Sequence, residues 1–220
     1  ADSQSSKILK QITSPSINQD VVRLEKAPKI AIYSPKNKQP WDDAVTMALT
    51  YAEIPYEVIY DKEVLSDLLP MYDWLHLHHE DFTGQYGKFY ATFKNAPWYK
   101  EQKRTSEKLA KELGFNKVSK QKLAVAKKIK DYVMGGGFLF AMCSATDSYD
   151  IALASEEIDI CAQMFDGDPA DKTFENLKFE KTLAFKDFTL VRNPNKYEFS
   201  SIDATQSRKI NQKVDLNIQN

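Results

Sequence analysis

One of the two cysteines stands in a pattern typical of an enzyme nucleophile. Three glycines at 135–137 precede an apolar run at 138–142, and Cys143 follows it, with the small residues Ser144 and Ala145 next. This is the pattern of a nucleophile elbow, a tight strand-to-helix turn that exposes its central side chain. The helix N-terminus adds N–H groups and a positive dipole end, which favour a thiolate. The pattern predicts Cys143 as a nucleophile and the Ser144 N–H as an oxyanion donor; alternatively, Cys143 is a small buried residue that ends a core strand.

All three histidines lie in one short segment, which ends in a polar cluster. His76, His78 and His79 are followed directly by Glu80 and Asp81. Strand alternation places His76 and His78 on one face and His79 on the other. His78 or His79 could then act as the base for the elbow cysteine, with Glu80 orienting it. Alternatively, His78, Glu80 and Asp81 could hold a divalent metal, but the spacing matches no specific ligand signature, and we expect neither a metal nor a cofactor.

Short apolar strands alternate with amphipathic helices through the first two thirds of the chain. This order predicts an α/β fold, a flavodoxin-like, doubly wound, mainly parallel sheet in three α/β/α layers. In such sheets ligands bind outside the carboxyl ends of the strands, where both the elbow and the histidines fall. The predicted strands are 30–33, 56–60, 72–77, 138–142 and 185–191, and the two lysine-rich helices are 100–113 and 120–134.

The polar ends of the chain set the predicted domain boundaries. Residues 1–28 lack sustained periodicity and are interpreted as a leader segment. Residues 29–200 form the α/β domain, and residues 201–220 are a polar tail at which a longer chain could be truncated.

Composition excludes several classes of protein. Two cysteines exclude a disulfide framework, and the longest apolar runs, about six residues, are too short for a membrane span. The 30 basic and 31 acidic residues nearly balance. Residues 94–131 nevertheless hold twelve Lys or Arg and four acids, a net of +8, which we interpret as solvated helix faces. We therefore expect a soluble protein with a small-molecule substrate and no nucleic-acid partner. The composition leaves the cellular compartment and the oligomeric state open.

Three segments together resemble a bacterial family labelled asparagine synthetase B. They are residues 29–35, 72–84 and 135–148, and the resemblance covers most of the chain. That family is similar in turn to the class I glutamine amidotransferase and ThuA-like superfamily. The resemblance implies a flavodoxin-like fold with a nucleophile after a core strand, and Cys143 occupies that position.

The chain departs from these relatives in ways that narrow the expected activity. It contains no Ser-Gly-Gly-x-Asp-Ser nucleotide loop, so we do not expect asparagine synthesis. Class I amidotransferases take their base from a late histidine, and none follows His79 here. Either the chain is a fragment that stops before that histidine, or the triad is absent.

Two functions follow from these observations. The first is an amidotransferase-like hydrolase in which Cys143 acts on a carboxamide or related acyl substrate. The alternative is a catalytically inactive binding or assembly module. Its contact surface would be the aromatic loop that contains Phe82, Tyr86, Phe89, Tyr90, Trp98 and Tyr99.

Overall fold

A computed structural model describes residues 27–35, 44–172 and 176–203 of the 220-residue chain. Most of the predicted leader and tail therefore lies outside the described residues. None of the described helices has the length and apolar content that crossing a bilayer requires.

The centre of the domain is a four-stranded parallel sheet. Its strands are β1 (Ile30–Tyr33), β2 (Tyr56–Ile59), β3 (Trp74–Leu77) and β4 (Phe138–Ala141), in the spatial order β2-β1-β3-β4. In register, Ile30 lies opposite Tyr56 and Trp74, and Trp74 lies opposite Phe138. This order is the flavodoxin-like one, which confirms the predicted fold class.

Helices connect the strands and cover the sheet. The described α-helices are α1 (Ala44–Tyr51), α2 (Asp61–Leu65), α3 (Tyr90–Phe93), α4 (Pro97–Glu112), α5 (Val118–Met134), α6 (Ser144–Ala154) and α7 (Gln163–Asp166). The two lysine-rich helices were predicted to within about three residues. Pro97 opens α4 because its fixed φ suits the first turn, where the missing N–H costs nothing.

The two faces of the sheet have separate cores, which makes the fold three-layered. On one face, Leu49 of α1 packs with Ile30 and Ile32. On the other face, α5 and α6 bury the side chains that alternate with these. That larger core contains Ala31, Tyr33, Leu75, Leu77, Val125, Ala126, Ile129, Tyr149 and Leu153.

Strand β4 is the outermost strand in the described part of the sheet. Phe138 is 58% exposed and Phe140 is 39% exposed. The family resemblance implied a nucleophile after a core strand, whereas Cys143 here follows an edge strand of the described sheet.

The predicted strand at 185–191 is wrong. Only Leu190 pairs, in an isolated antiparallel bridge with Ser200. Asp187 adopts a left-handed conformation, with φ 57°, that interrupts any extended run. The N–H groups of residues 183–185 bond the Asp150 carboxylate of α6 instead of a neighbouring strand.

A buried ion cluster closes the sheet at the carboxyl ends of β1 and β2. The Lys122 ammonium of α5 donates to both carboxylate oxygens of Asp61, at 2.9 and 3.0 Å, and to the hydroxyls of Tyr33 and Tyr60. Tyr33 also donates to Asp61. Burial, the largest single influence, lowers the pKa of Lys122, but the charges and hydrogen bonds of Asp61 and Tyr60 together outweigh it and raise the pKa, so the pair stays ionised.

We expect Lys122→Met to lower the free energy of unfolding by about 3 to 5 kcal/mol, because it leaves the Asp61 carboxylate buried without a counter-charge. Lys120→Met, on the exposed face of the same helix, is the matched control and should change stability little. Urea unfolding measures both. The double variant Lys122→Met/Asp61→Leu should recover part of the loss, and equal effects of the two lysine variants would contradict this assignment.

Candidate functional site

Cys143 lies at a sharp turn between β4 and α6. Its backbone has φ 50° and ψ −136°, a region that costs a non-glycine residue about 1 to 3 kcal/mol. The thiol is exposed, and α6 begins at the next residue, Ser144. The N–H groups of Ala145 and Thr146 bond the carbonyl oxygens of Met142 and Cys143, at 3.2 and 3.0 Å, and so close the turn, which leaves the Ser144 N–H as the candidate oxyanion donor. The geometry is that of the predicted elbow, and the interpretation of Cys143 as a buried core residue is wrong.

Two serines of α6 hold the loop after β3 against this turn. The Ser144 hydroxyl donates to the carbonyl oxygen of His79 at 2.8 Å. One turn later, the Ser148 hydroxyl donates to the carbonyl oxygen of Glu80 at 3.0 Å and accepts from the Phe82 N–H. The histidine segment and the elbow, 64 residues apart at the nearest (His79 and Cys143), therefore form one site.

The three histidines occupy different environments within that site. His76 is fully buried, and its ring lies 5.6 Å from that of Phe140 and within hydrogen-bond distance of the Phe140 carbonyl oxygen. His78 is also buried, whereas His79 is exposed like the elbow thiol. The His78 and His79 ring centroids lie 3.5 Å apart. His79 is thus the histidine that is exposed and whose backbone is bonded to the elbow helix.

Glu80 faces the buried ion cluster as well as the histidine loop. Its carboxylate accepts from the backbone N–H of His78 at 3.3 Å. Burial raises the pKa of Glu80 to about 7, although the Lys122 charge opposes this shift. Glu80 can therefore change protonation near neutral pH and position the His78 backbone.

The late part of the chain returns to the elbow, which sequence reasoning missed. A short antiparallel pairing, in which Val191 N–H donates to Phe199 and Ser201 N–H donates to Thr189, forms a hairpin over residues 189–201. The hydroxyl of Ser200 lies 3.5 Å from the carboxylate of Asp147, one helical turn after Cys143.

Tyr197 and Asp147 are the chemical groups that this hairpin brings to the elbow. Partial burial, together with the charges of Cys143, Asp203 and Asp147, raises the pKa of Tyr197, so its phenol stays neutral. Burial, with Asp203 and Asp81 nearby, raises the pKa of Asp147 to about 6. No local motif marks Tyr197 or Asp203, whereas Asp147 could have been found from its place in the first turn of the elbow helix.

Lys88 holds the hairpin in place. Its ammonium is buried and donates to the carbonyl oxygens of Val191, at 2.9 Å, and Glu198, at 2.7 Å. Burial lowers the pKa of Lys88 to about 8, against the opposing charge of Asp81. The three residues 86–88 all have positive φ, which turns the Lys88 side chain inward.

A second group of metal-ligand side chains lies apart from the elbow. One ligand atom from each of Asp159, Cys161 and Asp166 falls within 4.8 Å of the others. The Lys117 ammonium, however, lies 2.6 Å from Asp159 and 3.1 Å from Asp166 and takes the place of a cation. We assign this group as an ion cluster that ties α5 to the loop before α7.

The aromatic loop proposed as a contact surface is mostly internal. Phe82, Tyr86 and Tyr99 are 5% exposed or less, and Phe82 packs in the main core. Trp98, by contrast, is 46% exposed. These three residues are therefore part of the domain's own packing, and Trp98 stays on the surface.

Comparison of the chain with models of protein families, with curated proteins and with solved structures gives no match.

We expect the raised pKa of Glu80 to make the native state less stable as the pH rises from about 4.5 to about 7, because the native carboxyl holds a proton that the unfolded one releases. Glu80→Gln removes this proton release. The difference in free energy of unfolding between Glu80→Gln and wild type should therefore be about 3 kcal/mol more in favour of the variant at pH 8 than at pH 4.5, as measured by urea unfolding. Glu112→Gln, an exposed acid of α4, is the control, and a wild-type difference from Glu80→Gln that is the same at both pH values would refute the assignment.

Proposed function

We propose that the chain is a cysteine-dependent hydrolase of the class I glutamine amidotransferase type, acting on a carboxamide or related acyl substrate. The observation that carries the proposal is the exposed Cys143 thiol on a strained strand-to-helix turn. Strain at a non-glycine residue persists where the surrounding structure holds it, and it is frequent at active sites.

The site residues supply each group that acyl transfer needs. The Cys143 thiolate attacks the carbonyl carbon and forms a C–S bond while the carbonyl oxygen becomes an oxyanion. The Ser144 N–H is the first donor for that oxyanion, and an amide of the loop after β3 is the second. The base, which accepts the thiol proton, gives that proton to the leaving nitrogen as the C–N bond breaks. Water then hydrolyses the thioester, and the Cys143 thiol is restored.

His79 is the stronger candidate for the base. It is exposed, as Cys143 is, and its carbonyl oxygen is bonded to Ser144, the neighbour of Cys143. His78 lies against it but is buried. Glu80, which bonds the His78 backbone, is then a positioning residue for the loop.

The reactivity of Cys143 toward iodoacetamide tests the nucleophile. We expect full-length wild type and Cys161→Ser to be labelled once, at Cys143, and to react several times faster than glutathione at about pH 6, because an adjacent base takes the thiol proton as the sulfur attacks. Cys143→Ser should not be labelled, since Cys161 is 1% exposed and burial raises its pKa.

The same assay identifies the base. His79→Gln should reduce the labelling rate of Cys143 at pH 6 to that of glutathione. His78→Gln should keep most of the difference between the labelling rates of Cys143 and glutathione. The opposite result would assign His78 as the base. A wild-type labelling rate equal to that of glutathione at every pH would contradict the assignment of Cys143 as a nucleophile.

A further inference from the structure

Four aromatic rings form an open surface next to the elbow. This aromatic patch consists of Phe89, Phe93, Trp98 and Tyr197. Phe89 is central, with ring centroids 6.0 Å from Phe93, 5.9 Å from Trp98 and 5.5 Å from Tyr197. The three outer rings are 37%, 46% and 50% exposed, so the patch presents aromatic faces to ligands.

Tyr197 links the patch to the elbow helix. It belongs to the hairpin whose Ser200 hydroxyl lies 3.5 Å from the Asp147 carboxylate, one turn into that helix. The charge of Cys143 also contributes to the raised pKa of Tyr197. The hairpin therefore brings Tyr197 to the side of the domain where the elbow helix begins.

The patch is also preformed. Lys88 bonds both strands of the hairpin, and Phe89 is the next residue, so the contact that places Tyr197 against Phe89 is fixed from both sides. A surface that is already ordered loses little conformational entropy when it binds a ligand.

We propose that the aromatic patch is a specificity subsite that binds an aromatic ring of the substrate, so that the enzyme acts on aryl-bearing amides. The inference rests on the proposed function for the identity of the reacting atom. All four side chains of the patch are aromatic and uncharged, and offset or edge-to-face ring pairs add to simple apolar burial. Two ring pairs between the substrate and the patch correspond to a preference of roughly tenfold for a substrate with an aromatic ring over one with a small alkyl group.

Matched chloroacetamides measure this preference at the thiol itself. The Cys143 sulfur bonds the CH₂ carbon, chloride leaves, and the thiol proton goes to the base or to water. We expect N-benzylchloroacetamide to label full-length protein about tenfold faster than N-methylchloroacetamide, after each rate is divided by its rate with glutathione.

Variants of the patch should remove the preference for the benzyl group. Trp98→Ala and Tyr197→Ala should bring the corrected ratio close to one, whereas Tyr197→Phe, which keeps the ring, should retain it. Tyr51→Ala, an exposed tyrosine at the end of α1, is the control and should match wild type. A wild-type ratio close to one, or a ratio that neither alanine variant changes, would overturn the proposal.

A binding measurement separates this inference from the proposed function. In Cys143→Ser, which has no nucleophile, titration with benzamide should still change the fluorescence of Trp98, and acetamide should not; Trp98→Phe identifies the signal. If the thiol proves unreactive but benzamide binds, the subsite stands and the hydrolase proposal fails. If benzamide has no more effect than acetamide, the subsite is wrong whatever the thiol does.

Discussion

The hydrogen bonds from Ser144 and Ser148 to the loop after β3 determine the geometry of the candidate site. Each bond joins a backbone carbonyl of the loop after β3 to the elbow helix. Without them, the loop after β3 and the N-terminus of α6 would each be hydrated by solvent, and these bonds would not join them. With them, the backbone of the histidine loop is fixed against the first two turns of α6, beside Cys143.

The strain of the elbow is offset by what surrounds it. A left-handed Cys143 costs about 1 to 3 kcal/mol, which one or two well-made buried contacts can balance. Polar contacts elsewhere in the domain supply such stability: Lys122 with Asp61 at the carboxyl ends of β1 and β2, and Asp150 of α6 with three backbone N–H groups of the late segment. The late hairpin, in turn, depends on Lys88 for its position against the elbow helix.

Local patterns were sufficient to predict the parts of this structure that depend on neighbouring residues. The four short strands, the two lysine-rich helices and the elbow each follow from spacing over about ten residues. The prediction of a strand at 185–191 is wrong for a reason that local patterns do not contain. Asp150 binds the backbone where this segment begins, and Asp187 adopts a left-handed conformation. Tyr197 was missed for a similar reason: Lys88, more than a hundred residues earlier, brings its hairpin to the elbow.

Acyl transfer to Cys143 is the most direct test of the central claim. Full-length Cys161→Ser, mixed with 4-nitrophenyl acetate and quenched in acid, should carry one acetyl group on the Cys143 peptide by mass spectrometry. It should then release nitrophenolate beyond one equivalent, because the site hydrolyses the thioester. The same chain in urea is the control for simple thiol chemistry. Turnover that exceeds this control and disappears in Cys143→Ser is the predicted result, and acetylation that stops at one equivalent, or matches the unfolded chain, would contradict the account.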